Sequence, residues 1–182
     1  MEPGLHFATA KDLFEAFHTA GEDILARPVN ETALEFLTVL HKSPTPEESI
    51  TYGAYLLPRR KAVWWGHQCV RRLGHLMSAE DLRMLDLAEN WVMESEEPQR
   101  VEALTESLAA PDKSPGVWIA LAAGWSGGSM AGPEAPRVAP PPYLTPRAVN
   151  AGILGALARV DNKHRAPTLK GFVDMGISLA TR

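Results

Sequence analysis

Pro58-Arg59-Arg60-Lys61-Ala62-Val63-Trp64-Trp65-Gly66-His67-Gln68-Cys69-Val70-Arg71-Arg72-Leu73 is the stretch that decides the fold class. Ala62, Trp65, Cys69, Leu73 and, beyond it, Leu76 recur at intervals of three and four, which gathers them on one face of an α-helix. Pro58 suits the first helical position, where its missing N–H would have no intrahelical partner anyway. Another helix starts almost at once. Ser78 followed by Asp81 forms an acidic capping box, and Leu82, Leu85, Ala88 and Val92 supply the next apolar stripe.

The same grammar repeats outward in both directions. Upstream, Thr9 with Asp12 caps a helix carrying Leu13, Phe14 and Phe17, and Gly21 ends it. Asn30 caps a second, with Ala33, Leu34, Leu37 and Leu40 in its stripe, and Ser43-Pro44-Thr45-Pro46-Glu47-Glu48 stops that helix and opens a third. Downstream, Pro98 starts a helix with Val101, Leu104 and Leu108, Ser114-Pro115 one over Val117 to Ala123, and Thr145-Pro146 one with Val149, Ile153, Leu157 and Val160. Pro167 or Thr168 opens the last, with Leu169, Phe172, Val173 and Ile177. Nothing reads as a sheet: the alanines of Val117-Trp118-Ile119-Ala120-Leu121 and the proline before them favour helix. No repeat of solenoid period is present, so successive helices of similar length are the only hint of an array. The expected fold is all-α, a single-domain bundle of about eight or nine helices over residues 1–182.

Residues 124–144 interrupt the pattern with Gly124-Trp125-Ser126-Gly127-Gly128, then Pro133, Pro136 and Pro140-Pro141-Pro142. A structureless stretch of this length inside a domain is a linker or a functional loop. The triple proline is stiff and extended, and Trp125, Met130, Val138 and Tyr143 offer apolar anchors, which favours a Gly/Pro-rich strap crossing the helical body.

With 45% hydrophobic and 22% charged residues, the 182-residue chain has globular rather than disordered composition. One cysteine, Cys69, excludes an internal disulfide framework and fits a reducing compartment. Met1 to His6 show neither a basic nor an apolar signal region, and no apolar run reaches the ~20 residues of a membrane span, so a cytoplasmic protein without membrane association is expected. The net charge of −4 hides an alternation. Residues 1–57 hold nine acids and three bases, 58–77 five bases and no acid, 78–112 ten acids and two bases, and 113–182 eight bases and three acids. Acidic and basic helices lying side by side would neutralise one another; the alternative is a basic face for an acidic partner. The acidic total argues against nucleic acid, whose affinity rests on phosphate neutralisation. A helix-turn-helix reading of 58–92 fails likewise, because its recognition helix would carry Glu80, Asp81, Asp86 and Glu89.

Few constellations suggest chemistry. Gly124-Trp125-Ser126-Gly127-Gly128 matches the G-x-S-x-G nucleophile elbow, and Asp161 and His164 follow in hydrolase order, but an elbow needs a strand before the serine and a helix after it. Here a helix precedes and a Gly/Pro coil follows. His67 and His75 lie two helical turns apart, beyond chelating i, i+4 spacing, with Cys69 turned to the core, so exposed histidines and a buried thiol are expected rather than a metal site. Trp64 and Trp65 point about 100° apart around their helix; Trp65 belongs to the core, while Trp64 sits at the stripe's edge, as part of a wide apolar face or as an interface anchor. The pairs Glu47-Glu48 and Glu96-Glu97 stand at helix starts, where carboxylates favour the macrodipole. No catalytic residue, metal ligand set or cofactor is assigned.

Leu57 to Trp65, then Ser126-Gly127-Gly128-Ser129-Met130, then Pro140-Pro141-Pro142 with Leu144-Thr145-Pro146-Arg147-Ala148-Val149, resemble in order, over roughly residues 50–155, an uncharacterised bacterial helical domain family. Some of its members are encoded near type VI secretion components. The resemblance implies a bacterial interaction or accessory role and brings no active site with it. The expected function is a non-enzymatic protein–protein interaction module, an adaptor or accessory protein of type VI secretion with a protein partner. Its expected surface is the basic, Trp-bearing face of the helix after Pro58, formed by Arg59, Arg60, Trp64, Arg71 and Arg72. The alternative is a small serine hydrolase using Ser126. The sequence carries no signal of oligomeric state.

Overall fold

The computed structural model describes residues 6–132 and 134–182. Ten α-helices and one 3-10 turn make up the described chain. They are α1 (Ala10–Ala16), α2 (His18–Asp23), α3 (Ala33–His41), α4 (Glu48–Leu56), α5 (Arg59–Arg72), the 3-10 turn Gly74–Leu76, α6 (Ala79–Glu94), α7 (Glu97–Ala109), α8 (Pro115–Gly124), α9 (Leu144–Leu157) and α10 (Asn162–Ala180). Among the described residues the one β-type feature is an isolated antiparallel bridge between Thr9 and Thr32. The all-α class stands.

The capping grammar works where the caps are reciprocal. Thr9 with Asp12, and Ser78 with Asp81, each close both bonds of the box. Three boundaries differ from the sequence reading. The first predicted helix is two: Phe17 takes an extended conformation between α1 and α2, its ring stacks edge-on against Tyr55, and α2 runs through Gly21 to Asp23. The second is capped by Thr32 rather than Asn30, because Glu35 three residues on completes a box that Asn30 could not form. The last begins at Asn162, with Pro167 inside it. That proline costs one intrahelical bond, and Arg165 meanwhile donates to Val160 O (3.0 Å) and Ala158 O (3.3 Å), anchoring the early turns to the end of α9.

Helix α8 is apolar around its whole circumference and is the central rod, packed by α9, α6, α7 and α5. Trp65 joins the layers. It is buried between Gly53 of α4 and Gly176 of α10, and its indole N–H donates to Phe172 O at 2.8 Å. Truncating a tryptophan so placed costs about 3–5 kcal/mol. Farther out, the Tyr55 hydroxyl donates to Asp23 (2.6 Å), and Arg147 of α9 grips Asp23 and Glu22, tying α2 to α4 and α9. Burial, with Asp23 beside it, pushes the Tyr55 hydroxyl up to about 12.

Asp81 does more than cap α6. It is fully buried, accepts from the Ser114 hydroxyl (2.5 Å) and the Gly116 N–H (2.7 Å) at the start of α8, and meets Arg159 at 3.3 Å. One carboxylate thus closes the N-termini of two helices and holds the end of a third segment. The contact is so close that a Cβ on residue 116 would lie 2.2 Å from the Asp81 carbonyl oxygen, which explains the glycine.

Candidate functional site

The expected surface on α5 does not come together as one face. Arg60 donates to Val92 O (2.7 Å) and Met93 O (3.4 Å), satisfying carbonyls at the end of α6. Arg71 pairs with Asp86 and lies 3.8 Å from Glu89, both on α6. Arg59 donates to Ser126 O at 2.9 Å, fixing the start of the strap. Arg72 is exposed, and its guanidinium lies toward Gly171 of α10, away from Arg71. Trp64 is half-buried and stacks on the His67 ring, 5.0 Å between centroids and 9° from parallel. Across the α5–α6 seam Arg71 is thus, among the described residues, the one arginine that pairs with acids, while Arg60 serves backbone carbonyls.

His67 corrects the sequence reading, which took it as exposed. It is 2% exposed, because α6 covers the edge of α5 that an isolated helical wheel assigns to solvent. Its Nδ1 pairs with the Gln68 amide (3.2 Å), and its Nε2 faces Glu89 at 3.5 Å without a formed hydrogen bond. Burial pulls the His67 pKa below its ordinary value and Arg71 pulls the same way; Glu89 and Asp86 oppose them. Cys69 is buried, and burial drives its thiol well up, so it is held as an unreactive core group. His75 is exposed on the 3-10 turn and does not join these two.

Ser126 lies just past the end of α8, with helix before it and turn after it. Its hydroxyl donates to Ala123 O at 2.5 Å, the geometry of a helix end rather than of a strained elbow. Asp161 and His164 meet each other only at 3.9 Å, at the exposed start of α10.

An open groove lies instead beside α7, a place the sequence reading passed over. It encloses about 1060 Å³, bounded by α7 on one side and by strap residues 128–132, Ala135 and Arg137 on the other. Val101, Leu104, Leu108 and Met130 give it apolar walls; Val101 is 38% and Leu108 51% exposed. Arg100 forms its base. Nearly buried, it makes a two-bond pair with Glu97 (2.8 and 2.6 Å) and donates to Gly124 O (2.5 Å) and Ser129 O (3.4 Å). Gly128 crosses over the guanidinium with φ +63, and a Cβ there would lie 2.4 Å from it, so both backbone angle and space require glycine. The strap then closes on itself: Ser129 Oγ accepts from the Ala131 and Val138 N–H groups, and Met130 N donates to Val138 O. Trp125 and Met130 are partly buried as expected, but Val138 is 51% exposed. Polar bonds to Arg59 and Arg100 hold this end of the strap, not a Val138 anchor.

The second cavity, about 600 Å³, lies between Pro46-Glu47 and the start of α10. Its cations are already engaged, Lys170 by Asp174 at 2.6 Å and Arg165 by carbonyls of the α9 end. The class defined by these features is an all-α bundle with a strap-flanked apolar groove. Among the described residues no helix is long and apolar enough to cross a membrane. The chain belongs to the family of unknown function DUF6931, which it matches over residues 36–180, from within α3 to the last residue of α10. No curated protein and no solved structure matches it.

Proposed function

We propose that the protein is a non-enzymatic protein–protein interaction module, an adaptor or accessory component of bacterial type VI secretion acting in the cytoplasm. The observation that carries the interaction reading is the α7 groove. Val101 and Leu108 stand open to water beside a strap that four side chain–backbone bonds hold in place, from Arg59, Arg100 and two on Ser129. Leaving such a face exposed forfeits burial worth about 25 cal/mol per Å², and a partner recovers it. The secretion context rests on the resemblance of the 57–65, 126–130 and 140–149 segments alone.

The working surface on this reading is α7 and the strap, because Arg59, Arg60 and Arg71 are engaged within the molecule. The test is affinity capture from the native host with the intact chain, the Leu108→Gln variant and the Arg60→Glu/Arg71→Glu variant side by side. Loss of a specific partner with Leu108→Gln, at an unchanged melting temperature, is the expected result. A partner indifferent to Leu108 but lost with folded α5 variants would return the surface to α5. A fluorophosphonate probe is expected to leave Ser126 unlabelled in the native protein; stoichiometric labelling would replace this reading with the hydrolase.

A further inference from the structure

We infer that the cavity between Pro46-Glu47 and the start of α10 binds a small carboxylic acid with an apolar body, a ligand site separate from the α7 groove and independent of the interaction-module reading. Four buried side-chain atoms among the described residues lack a hydrogen-bond partner: His41 Nδ1, His67 Nε2, Gln99 Oε1 and Arg165 Nε. Two of them, His41 Nδ1 and Arg165 Nε, belong to residues that line this one cavity, where the last residue of α3 meets α10. A native fold leaves few such atoms unpaired, and each asks for a reason. Their convergence on one cavity points to a ligand.

Arg165 is held ready for it. Nη2 alone makes its bonds, to Val160 O and Ala158 O, and these orient the guanidinium before any ligand arrives. Those carbonyls carry no formal charge, so the positive charge of the arginine is unmatched, and Nη1 has no partner among the described residues. Lys170, the other cation of the lining, already meets Asp174 at 2.6 Å. Glu47, exposed, is the acid of the lining. One unmatched cation with an acid nearby suits a single negative charge better than two, hence a carboxylate over a phosphate. The half-buried His41 imidazole adds a ring nitrogen to hydrogen-bond it. Pro46, Ala166 and Pro167 supply apolar wall, and the cavity volume of about 600 Å³ lies in the range of small-molecule sites.

The experiment follows amide NMR spectra of the full chain during titration with 3-phenylpropionate, octanoate, 3-phenylpropionamide and inorganic phosphate. Both acids are expected to saturate with a Kd of about 1 mM, their shifts centred on His41, Arg165 and Ala166. The amide keeps the shape and loses the charge; it should bind about tenfold or more weakly, and so should the acids to Arg165→Gln. Arg165→Gln also gives up bonds to the end of α9, so Ala166→Trp is the second variant. It fills the cavity from an exposed position, leaves the polar groups in place, and should abolish binding at an unchanged melting temperature. Arg72→Gln, at an exposed arginine of α5, is the control and should change nothing. Equal binding of acid and amide overturns recognition of a carboxylate, and phosphate binding as tightly as the acids overturns the preference for a single charge. Acid binding that survives Ala166→Trp overturns the site, as does absence of saturable binding by either acid. The α7 groove is tested separately by Leu108→Gln.

Discussion

One side of the α6–α7 pair is closed by α5, and the other keeps an open groove. Along the α5–α6 seam charge is spent inside the molecule: Arg60 satisfies the α6 C-terminal carbonyls, Arg71 meets Asp86 and Glu89, and His67 is sealed beneath them. Along α7 Glu97 is paired with Arg100 and Glu106 with Arg83, yet Val101 and Leu108 are left partly exposed beside the strap. The difference teaches that a run of one charge has no functional meaning until its neighbours are known. The segment with the most conspicuous sequence, basic and tryptophan-rich, has Arg59, Arg60 and Arg71 bonded within the molecule; the plainer one borders an open groove.

The largest effect that would break this contrast is at the closed end of α6. Asp81→Ala strips the Ser114 hydroxyl and the Gly116 N–H of their acceptor and leaves Arg159 without its carboxylate. A loss of about 3 kcal/mol or more in urea unfolding is expected. The pH dependence has a definite sign. Burial pushes the Asp81 carboxyl up, but the bonds from Ser114, Gly116 and Ser78 hold it below the ordinary aspartate value. Its contribution is therefore present above the unfolded aspartate pKa and is lost as pH falls through the lower folded value. Stability of the Asp81→Asn variant should lack this acid limb.

The Arg60→Glu/Arg71→Glu variant is next. It removes carbonyl bonds from Arg60 and reverses one side of a half-exposed ion-pair cluster, so a loss of about 1–2 kcal/mol is expected, with partner capture retained by whatever remains folded. A melting curve unchanged from the parent would show that the seam is not closed.

His67 sharpens the same seam. Its folded pKa lies below its unfolded one, so protonation favours the unfolded chain. Stability is expected to be full above the unfolded histidine pKa, near 6.5, and to fall as pH drops through the lower folded value. The drop should flatten in His67→Gln, and Trp64 fluorescence should report the same titration through the stacked ring. Melting temperatures rising toward acid would contradict a sealed imidazole.

Leu108→Gln is expected to have the smallest effect on folding, within about 0.5 kcal/mol, because the side chain is already 51% exposed. Thermal denaturation checks it. A large destabilisation would mean that the groove is part of the core rather than an opening in it.

The helices were legible because their signals are local. Capping boxes at Thr9 and Ser78 and helical stripes such as Ala62-Trp65-Cys69-Leu73 depend on residues within a turn or two of one another. Misreadings arose where a distant partner intervened. Phe17 breaks a helix by packing against Tyr55, and Pro167 is carried within α10 while Arg165 holds the end of α9. The candidate surface was less legible still, since the exposure of Trp64, His67 or Leu108 is not a property of one helix.

By itself the sequence determined the all-α class, most of the helix starts, Trp65 and Cys69 in the core, and the interruption at residues 124–144. Tertiary structure alone decided that Asp81 caps two helices, that α6 buries His67, that Arg59 and Arg100 fasten the strap, and that α7 keeps an open side. The physical reason is range: capping and amphipathicity act over three or four residues, whereas burial and charge neutralisation belong to whichever helix arrives from elsewhere in the chain.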